Sequence, residues 1–393
     1  MKKQLGCLEL LNKYRVGVIM NRKLMLGLGL LNSALLLLSG PVFADGHGHK
    51  TAFKVTEIAT GLKNPWGIAF LPNGDALITE RSGGLRKLSV NGELGELISG
   101  LPKAEVKGQG GFLGLAVHPD FAQNQMVYVC LNVAGEGGAG SEVHAGILKG
   151  NELIDTKPIF IAQPKSDSGH HFGCRVTFDN NKDVFISLGD RGKKKEQAQD
   201  PTLHTGKVVK VKANGDIPSN NPFVGKDGAD EVYTYGHRNV QGMTLHPKTG
   251  AIWTHEHGPK GGDEVNILSA GDNYGWPVIT YGVNYNGSSI TDKTEMQGMR
   301  QPLTYWDPSI APSGMDFYDG EMFSDWQGNL FVGSLKFRYL LRMELDENNK
   351  VIAEHKLLED RDERIRDVVQ GPDGSIYVLT DSTTGKVLKL TAN

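Results

Sequence analysis

The chain has 393 residues and a formal net charge of −3. That balance excludes an electrostatic nucleic-acid partner, which would need a basic face. Fifty-one glycines without a collagen period or a low-complexity block point to many tight turns, and three cysteines exclude a disulfide scaffold.

The first 44 residues differ from the rest. "MNRKLMLGLGLLNSALLLLSGPVFA" starts at Met20 with Arg22 and Lys23, continues apolar, and ends in small residues before Asp45. This is the pattern of a secretory signal, with Met20 as the initiator, and it predicts a periplasmic or secreted protein. The apolar core is short for a span, so no stable membrane insertion is expected after signal removal. Cleavage after Ala44 would leave a tail over residues 45–52 that begins Asp45-Gly46-His47. A free amine, two amide nitrogens and a third-position imidazole can wrap Cu(II) or Ni(II) in a square plane. Removal of Cys7 with the signal leaves Cys130 and Cys174. These are expected as buried free thiols, with a bridge between them as the alternative.

From residue 53 a unit recurs: strand, polar turn, strand. It reads "IAFLPNGDALIT", "LAVHPDFAQNQMVYVCL", "VTFDNNKDVFISL", "MTLHPKTGAIWTH", "MDFYDGEMFSDWQGNLFVGS" and "VVQGPDGSIYVLT". Apolar and polar residues alternate around each turn, as antiparallel hairpins require. Further strands follow in "GGLRKLSV", "GKVVKVKA" and "GKVLKLTA". Six such units predict an all-β fold, a six-bladed β-propeller of four-stranded antiparallel sheets over 53–393. Two packed β-sandwiches are the alternative, but no linker divides them.

In each hairpin, the start of the first strand and the end of the second share one edge. The starts carry Gln109, His171, Arg175, Arg238, Asn239, Arg364 and Arg366; the ends carry Asp190 and Lys336. The unusual polar residues therefore gather on one rim. Arg238, Lys336, Arg364 and Arg366 are each unremarkable surface charges when taken singly. Together, from three repeats, they call for an anionic guest. "HGPKGGDEVNILSAGDNYGWP" offers carbonyls at Gly258 and Pro259 and the Glu264 carboxylate, hard oxygen donors that suit Ca²⁺. His255 and His257 lack zinc-spaced partners and read as structural. His171 is a candidate general base if Asp190 holds its other ring nitrogen; His170 competes for the role.

"GQGGFLGLAVHPDF", "HFGCR", "GDRG", "GHRNVQG", "EHGPKGGDE", "NYGWP", "GSLK" and "RIRDVVQGPDG" together resemble the soluble pyrroloquinoline quinone (PQQ)-dependent aldose sugar dehydrogenases. The resemblance implies a six-bladed propeller that oxidises aldose sugars at C1 to lactones. PQQ and Ca²⁺ would serve as cofactors, and electrons would pass to an external acceptor. It implies that Gln109, Arg238, Asn239, Tyr285, Lys336, Arg364 and Arg366 bind PQQ. Gly258 and Pro259 would hold the Ca²⁺ that touches PQQ, and Glu264 and Tyr274 a structural Ca²⁺. His171 would be the base, chosen over His170 by its spacing to Arg175, with Asp190 orienting it. Cys174 stands where the pattern has glycine. On an extended strand start its side chain would point away from His171 and Arg175. Val240 replaces a proline, and "KKKE" makes the loop after Asp190 basic. Two other classes compete: a Ca²⁺-dependent lactonase-type hydrolase, which needs a carboxylate cage, and a non-catalytic binding propeller.

Overall fold

Alternating patterning closes into sheets in the computed structural model, which describes residues 51–393. The expected signal segment and the expected Asp45-Gly46-His47 terminus lie outside the described residues. Six four-stranded antiparallel sheets form. Blade 1 runs Pro65–Phe70, Ala76–Glu80, Gly84–Leu88 and Leu94–Ile98; blade 2 runs Phe112–Val117, Met126–Gly135, Gly138–Lys149 and Glu152–Ile161. Blade 3 comprises Val176–Phe178, Asp183–Ser187, Lys207–Lys212 and Val232–Tyr235; blade 4 comprises Val240–Leu245, Ile252–Glu256, Asp263–Ile267 and Thr304–Trp306. Blade 5 holds Pro312–Phe317, Leu330–Ser334, Leu340–Leu345 and Val351–Leu357. Blade 6 holds Ile365–Gln370, Ile376–Thr380 and Gly385–Ala392, and its outer strand is Phe53–Leu62, from the other end of the chain. The six repeats read from sequence are the first hairpins of these blades. Among the described residues no helix is long and apolar enough to cross a membrane.

The hairpin turns opposite the site use side-chain caps. Asn73 Oδ1 accepts the Asp75 amide, Asp179 Oδ1 the Asn181 amide, and Asp373 Oδ1 the Ser375 amide. This explains the Asn, Asp and Gly of the repeated turns.

The first strands of successive blades touch in order, and that of blade 6 touches blade 1, which closes the ring. At one equivalent position these inner strands carry Gly67, Gly114, Gly242 and Gly314. A Cβ on Gly114 would lie 2.0 Å from the Cys174 carbonyl, and one on Gly314 1.9 Å from Asp367 Oδ1. Blades 3 and 6 instead place Arg175 and Asp367 there. These meet across the ring at 2.8 Å. Arg175 also stacks on Trp66 at 4.2 Å and donates to the Gln241 carbonyl at 2.6 Å.

The cysteines depart from expectation. Cys130 and Cys174 form a disulfide between blades 2 and 3, so the expected free thiols are not found. The alternation argument for Cys174 also fails, because residues 171–175 are not extended. His171, Gly173 and Cys174 have φ of 51°, 63° and 82°. A turn, rather than a strand start, sends the Cys174 side chain into the wall shared with blade 2.

Candidate active site

Most predicted site positions fall where a first strand begins or a second strand ends, or in the loops that follow; Glu264 lies in the third strand of blade 4, and Tyr274 and Tyr285 lie in the connection from that strand to the fourth. The rim they mark opens into a cavity of about 870 Å³. Gln109, Asn239, Gly258, Pro259, Lys336, Arg364, Arg366 and Tyr285 line it. Tyr285 is 74% exposed and stands at the mouth.

The arginines are held from behind. Arg364 Nη2 and Arg366 Nη2 donate to Asp381 Oδ2 at 2.8 and 2.9 Å, and Arg364 Nη1 donates to the Leu335 carbonyl at 3.0 Å. Their two-residue spacing on an extended strand turns both toward one carboxylate. Burial pushes the Asp381 carboxyl up, but the Arg366 and Arg364 guanidiniums outweigh it and hold it below its ordinary value. Arg366 Nε is buried with no protein partner among the described residues, an unspent donor beside the cavity. A cavity rimmed by cations fits a planar polycarboxylate such as PQQ.

His171 and Asp190 lie at the two ends of blade 3's first hairpin. The fold joins them: His171 Nδ1 and Asp190 Oδ1 are 2.6 Å apart. Asp190 Oδ2 accepts the Trp276 indole N–H at 2.8 Å, and its Oδ1 the Gly192 amide at 2.7 Å. Burial pushes Asp190 up, yet the His171 bond and charge outweigh it and keep it ionised. Burial lowers the His171 pKa below its ordinary value, against the Asp190 bond. The ring is therefore neutral at pH 7, with Nδ1–H fixed on the carboxylate and Nε2 left as the basic nitrogen. The neighbouring Phe172 and Gly173 line the cavity. The His170 ring is exposed, 6.4 Å from that of His171, and nothing comparable to Asp190 faces it.

Arg238, Glu264 and Tyr274 lie apart from the main lining. They surround a void of about 10 Å³ with Glu256, Gly258, Trp276 and Thr280. Arg238 Nη1 donates to the His257 and Gly258 carbonyls at 3.0 and 2.7 Å. The Tyr274 hydroxyl donates to the Ile267 carbonyl and accepts the Ser269 amide, which leaves its main-chain carbonyl for other use. Burial, with the Glu256 carboxylate beside it, pushes Glu264 up to about 8. Among the described residues no three His, Cys, Asp or Glu side chains are poised together for a metal. A cation here would rest on carbonyls with one or two carboxylates, a hard oxygen set that fits Ca²⁺. His257 donates from Nε2 to the Pro312 carbonyl at 2.6 Å, as a structural histidine does.

Sequence reasoning missed Asp381, Trp276 and Glu256. Asp381 follows the second strand of blade 6, the same edge that carries Asp190 in blade 3, so the topology held the signal. Trp276 acts across blades, with no signal in spacing.

The chain matches the Glucose / Sorbosone dehydrogenase family over residues 62–389. It is 43% identical over 336 residues to the aldose sugar dehydrogenase YliI of Escherichia coli, across 84% of this chain and 90% of that protein. The apo crystal structure of the soluble aldose sugar dehydrogenase of Escherichia coli superposes with a TM-score of 0.84 at 40% identity, covering 87% of this chain and all of that one. The PQQ-bound aldose sugar dehydrogenase of Streptomyces coelicolor superposes with a TM-score of 0.71 at 27% identity, covering 86% of this chain and 99% of that one. The chain belongs to the glucose/sorbosone dehydrogenase family of oxidoreductases.

Proposed function

We propose that the protein oxidises aldose sugars at C1 to lactones with PQQ and Ca²⁺, and passes the electrons to an external acceptor. The observation that carries the reading is the His171–Asp190 pair beside a cavity rimmed by Lys336, Arg364 and Arg366. The PQQ-bound relative supports the cofactor. When bound, PQQ supplies the two-electron oxidant and Ca²⁺ the positive charge that makes it more electrophilic.

The residues divide the work. Lys336, Arg364 and Arg366, with Gln109, Asn239 and Tyr285 around them, would hold the carboxylates and fix the ring plane. Arg238, now bonded to the His257 and Gly258 carbonyls, would turn toward the cofactor when it and Ca²⁺ bind. The Gly258 and Pro259 carbonyls would hold the Ca²⁺ next to the cofactor. Glu264 and the Tyr274 carbonyl would hold a second, structural one. His171 Nε2 would take the proton of the C1 hydroxyl, and Asp190 would steady the imidazolium that forms. The hydrolase alternative needs a carboxylate cage, whereas among the described residues only the carboxylates of Asp307 and Asp381 line the cavity and Asp381 is already committed to two arginines. The disulfide supports export to an oxidising compartment, after a signal over residues 1–44.

The test is dye reduction by purified protein with a panel of aldoses. Turnover should need both PQQ and Ca²⁺, and NAD should not replace PQQ. Activity unchanged after chelation and cofactor removal overturns the proposal.

A further inference from the structure

We infer that the Cys130–Cys174 disulfide positions the active-site base, holding the Cys174 backbone in a conformation that glycine alone adopts without cost. The inference rests on His171 as the base, as proposed above.

Cys174 lies three residues after His171 and has φ of 82°. Side chains with a Cβ avoid that region; glycine does not. Neighbouring backbone is packed closely against the turn. A Cβ on Gly114 would lie 2.0 Å from the Cys174 carbonyl, and one on Gly189 2.2 Å from the His171 carbonyl. Four of its amides are held. His171 N–H donates to Gln109 Oε1 at 2.8 Å and Gly173 N–H to Asn239 Oδ1 at 3.2 Å. Cys174 N–H donates to the Ser187 carbonyl at 2.6 Å and Arg175 N–H to Ser187 Oγ at 2.9 Å.

Against these contacts, Cys174 left alone would favour negative φ. That rotation would unwind the turn and carry the His171 ring away from Asp190. The bridge ties Cys174 to Cys130, which sits within the ten-residue strand Met126–Gly135 of the next blade. Both cysteines are wholly buried, so a soluble reductant cannot reach the sulfurs in the folded protein. The bridge is therefore a permanent tether and not a redox switch.

The test compares two variants that lack the bridge. C130A/C174G can adopt the required φ; C130A/C174A cannot do so freely. A tether that only stabilised the blades would lower the stability of both and leave their kcat values alike. The glycine pair should turn over sugar about tenfold faster than the alanine pair, with KM and PQQ affinity shared. A ratio of threefold or more supports the inference; a smaller one overturns it. Hydrogen exchange over residues 168–176, measured without cofactor, should be faster in the alanine pair and near wild type in the glycine pair. Equal exchange overturns the inference. If the alanine pair does not fold, C130A, which lacks only the tether, takes its place. Absence of wild-type turnover would sink the proposed function and leave the exchange comparison to decide the tether alone.

Discussion

As the proposed base, His171 would owe its reactivity to what surrounds each of its nitrogens. Asp190 takes Nδ1, burial lowers the ring's pKa and favours its neutral form, and Nε2 is the nitrogen that would face the substrate. His171→Ala should abolish turnover while PQQ still binds, because the base meets the transition state more than the cofactor. His170→Ala should be mild; exchanged phenotypes would show that the wrong histidine has been assigned. The pH dependence has a fixed sign. Only neutral imidazole accepts a proton, so kcat/KM should fall in acid, with a midpoint below the ordinary histidine value of 6.5. A midpoint above that value contradicts the burial argument. Trp276→Phe removes a hydrogen bond from the buried Asp190 carboxylate, worth roughly 1.5–3 kcal/mol for a charged acceptor. It should cut kcat about tenfold with little change in KM, whereas a change confined to KM would place Trp276 against substrate instead. The pairing of His171 with Asp190 was legible in the sequence, because hairpin topology alone joins their positions. The Trp276 contact was not, since it comes from a distant loop of another blade.

At the scale of elements, the site is made by strand ends, and the strands themselves are ordinary. The repeats were legible because period-2 patterning and Asn/Asp/Gly turns are local signals. The disulfide was not, because pairing depends on the φ-positive turn at residues 171–174, which spacing does not encode. The segment from Gly258 to Tyr274 shows the element's other duty. It brings the half-buried Glu264 beside the buried Glu256 and leaves the two carboxyls to share space, with Glu264 pushed up to about 8. A divalent cation would remove that penalty. Ca²⁺ should therefore raise the thermal midpoint of the wild type, and the increment should shrink in Glu264→Gln, which has no charge to neutralise. An identical Ca²⁺ increment in both proteins would mean that the stabilising ion binds elsewhere. Arg366→Ala acts on a neighbouring element. It should weaken PQQ affinity about tenfold, the worth of one charge-assisted contact to a carboxylate. An unchanged PQQ titration would show that Arg366 faces away from the cofactor.

The whole molecule is a ring, and two devices keep it closed. The first is at the circumference: Phe53–Leu62 pairs with Gly385–Ala392, so the two ends of the described chain share blade 6. The second is on the axis. Four inner strands leave space with glycine, and the space is filled by Arg175 from blade 3 and Asp367 from blade 6. This pair also binds blades 1 and 4, through Trp66, the Ile68 amide and the Gln241 carbonyl. It lies between the cationic cavity on one rim and a smaller cavity of about 330 Å³ toward the other. Burial pushes the Asp367 carboxyl up, and Arg175 draws it back only in part. Asp367→Asn would leave the Arg175 guanidinium buried without its counter-charge. Breaking a buried pair from one side costs about 3–5 kcal/mol, whereas replacing both partners with apolar groups often costs little. The single variant should thus lower unfolding free energy by that amount, and Arg175→Met with Asp367→Ala should recover part of it. Because all six blades meet at this axis, the loss should appear as a shift of the main unfolding transition and not as the early melting of one blade. A double variant as unstable as the sum of its singles would mean that the two side chains act independently, each on its own blade, and that the ring does not depend on their meeting.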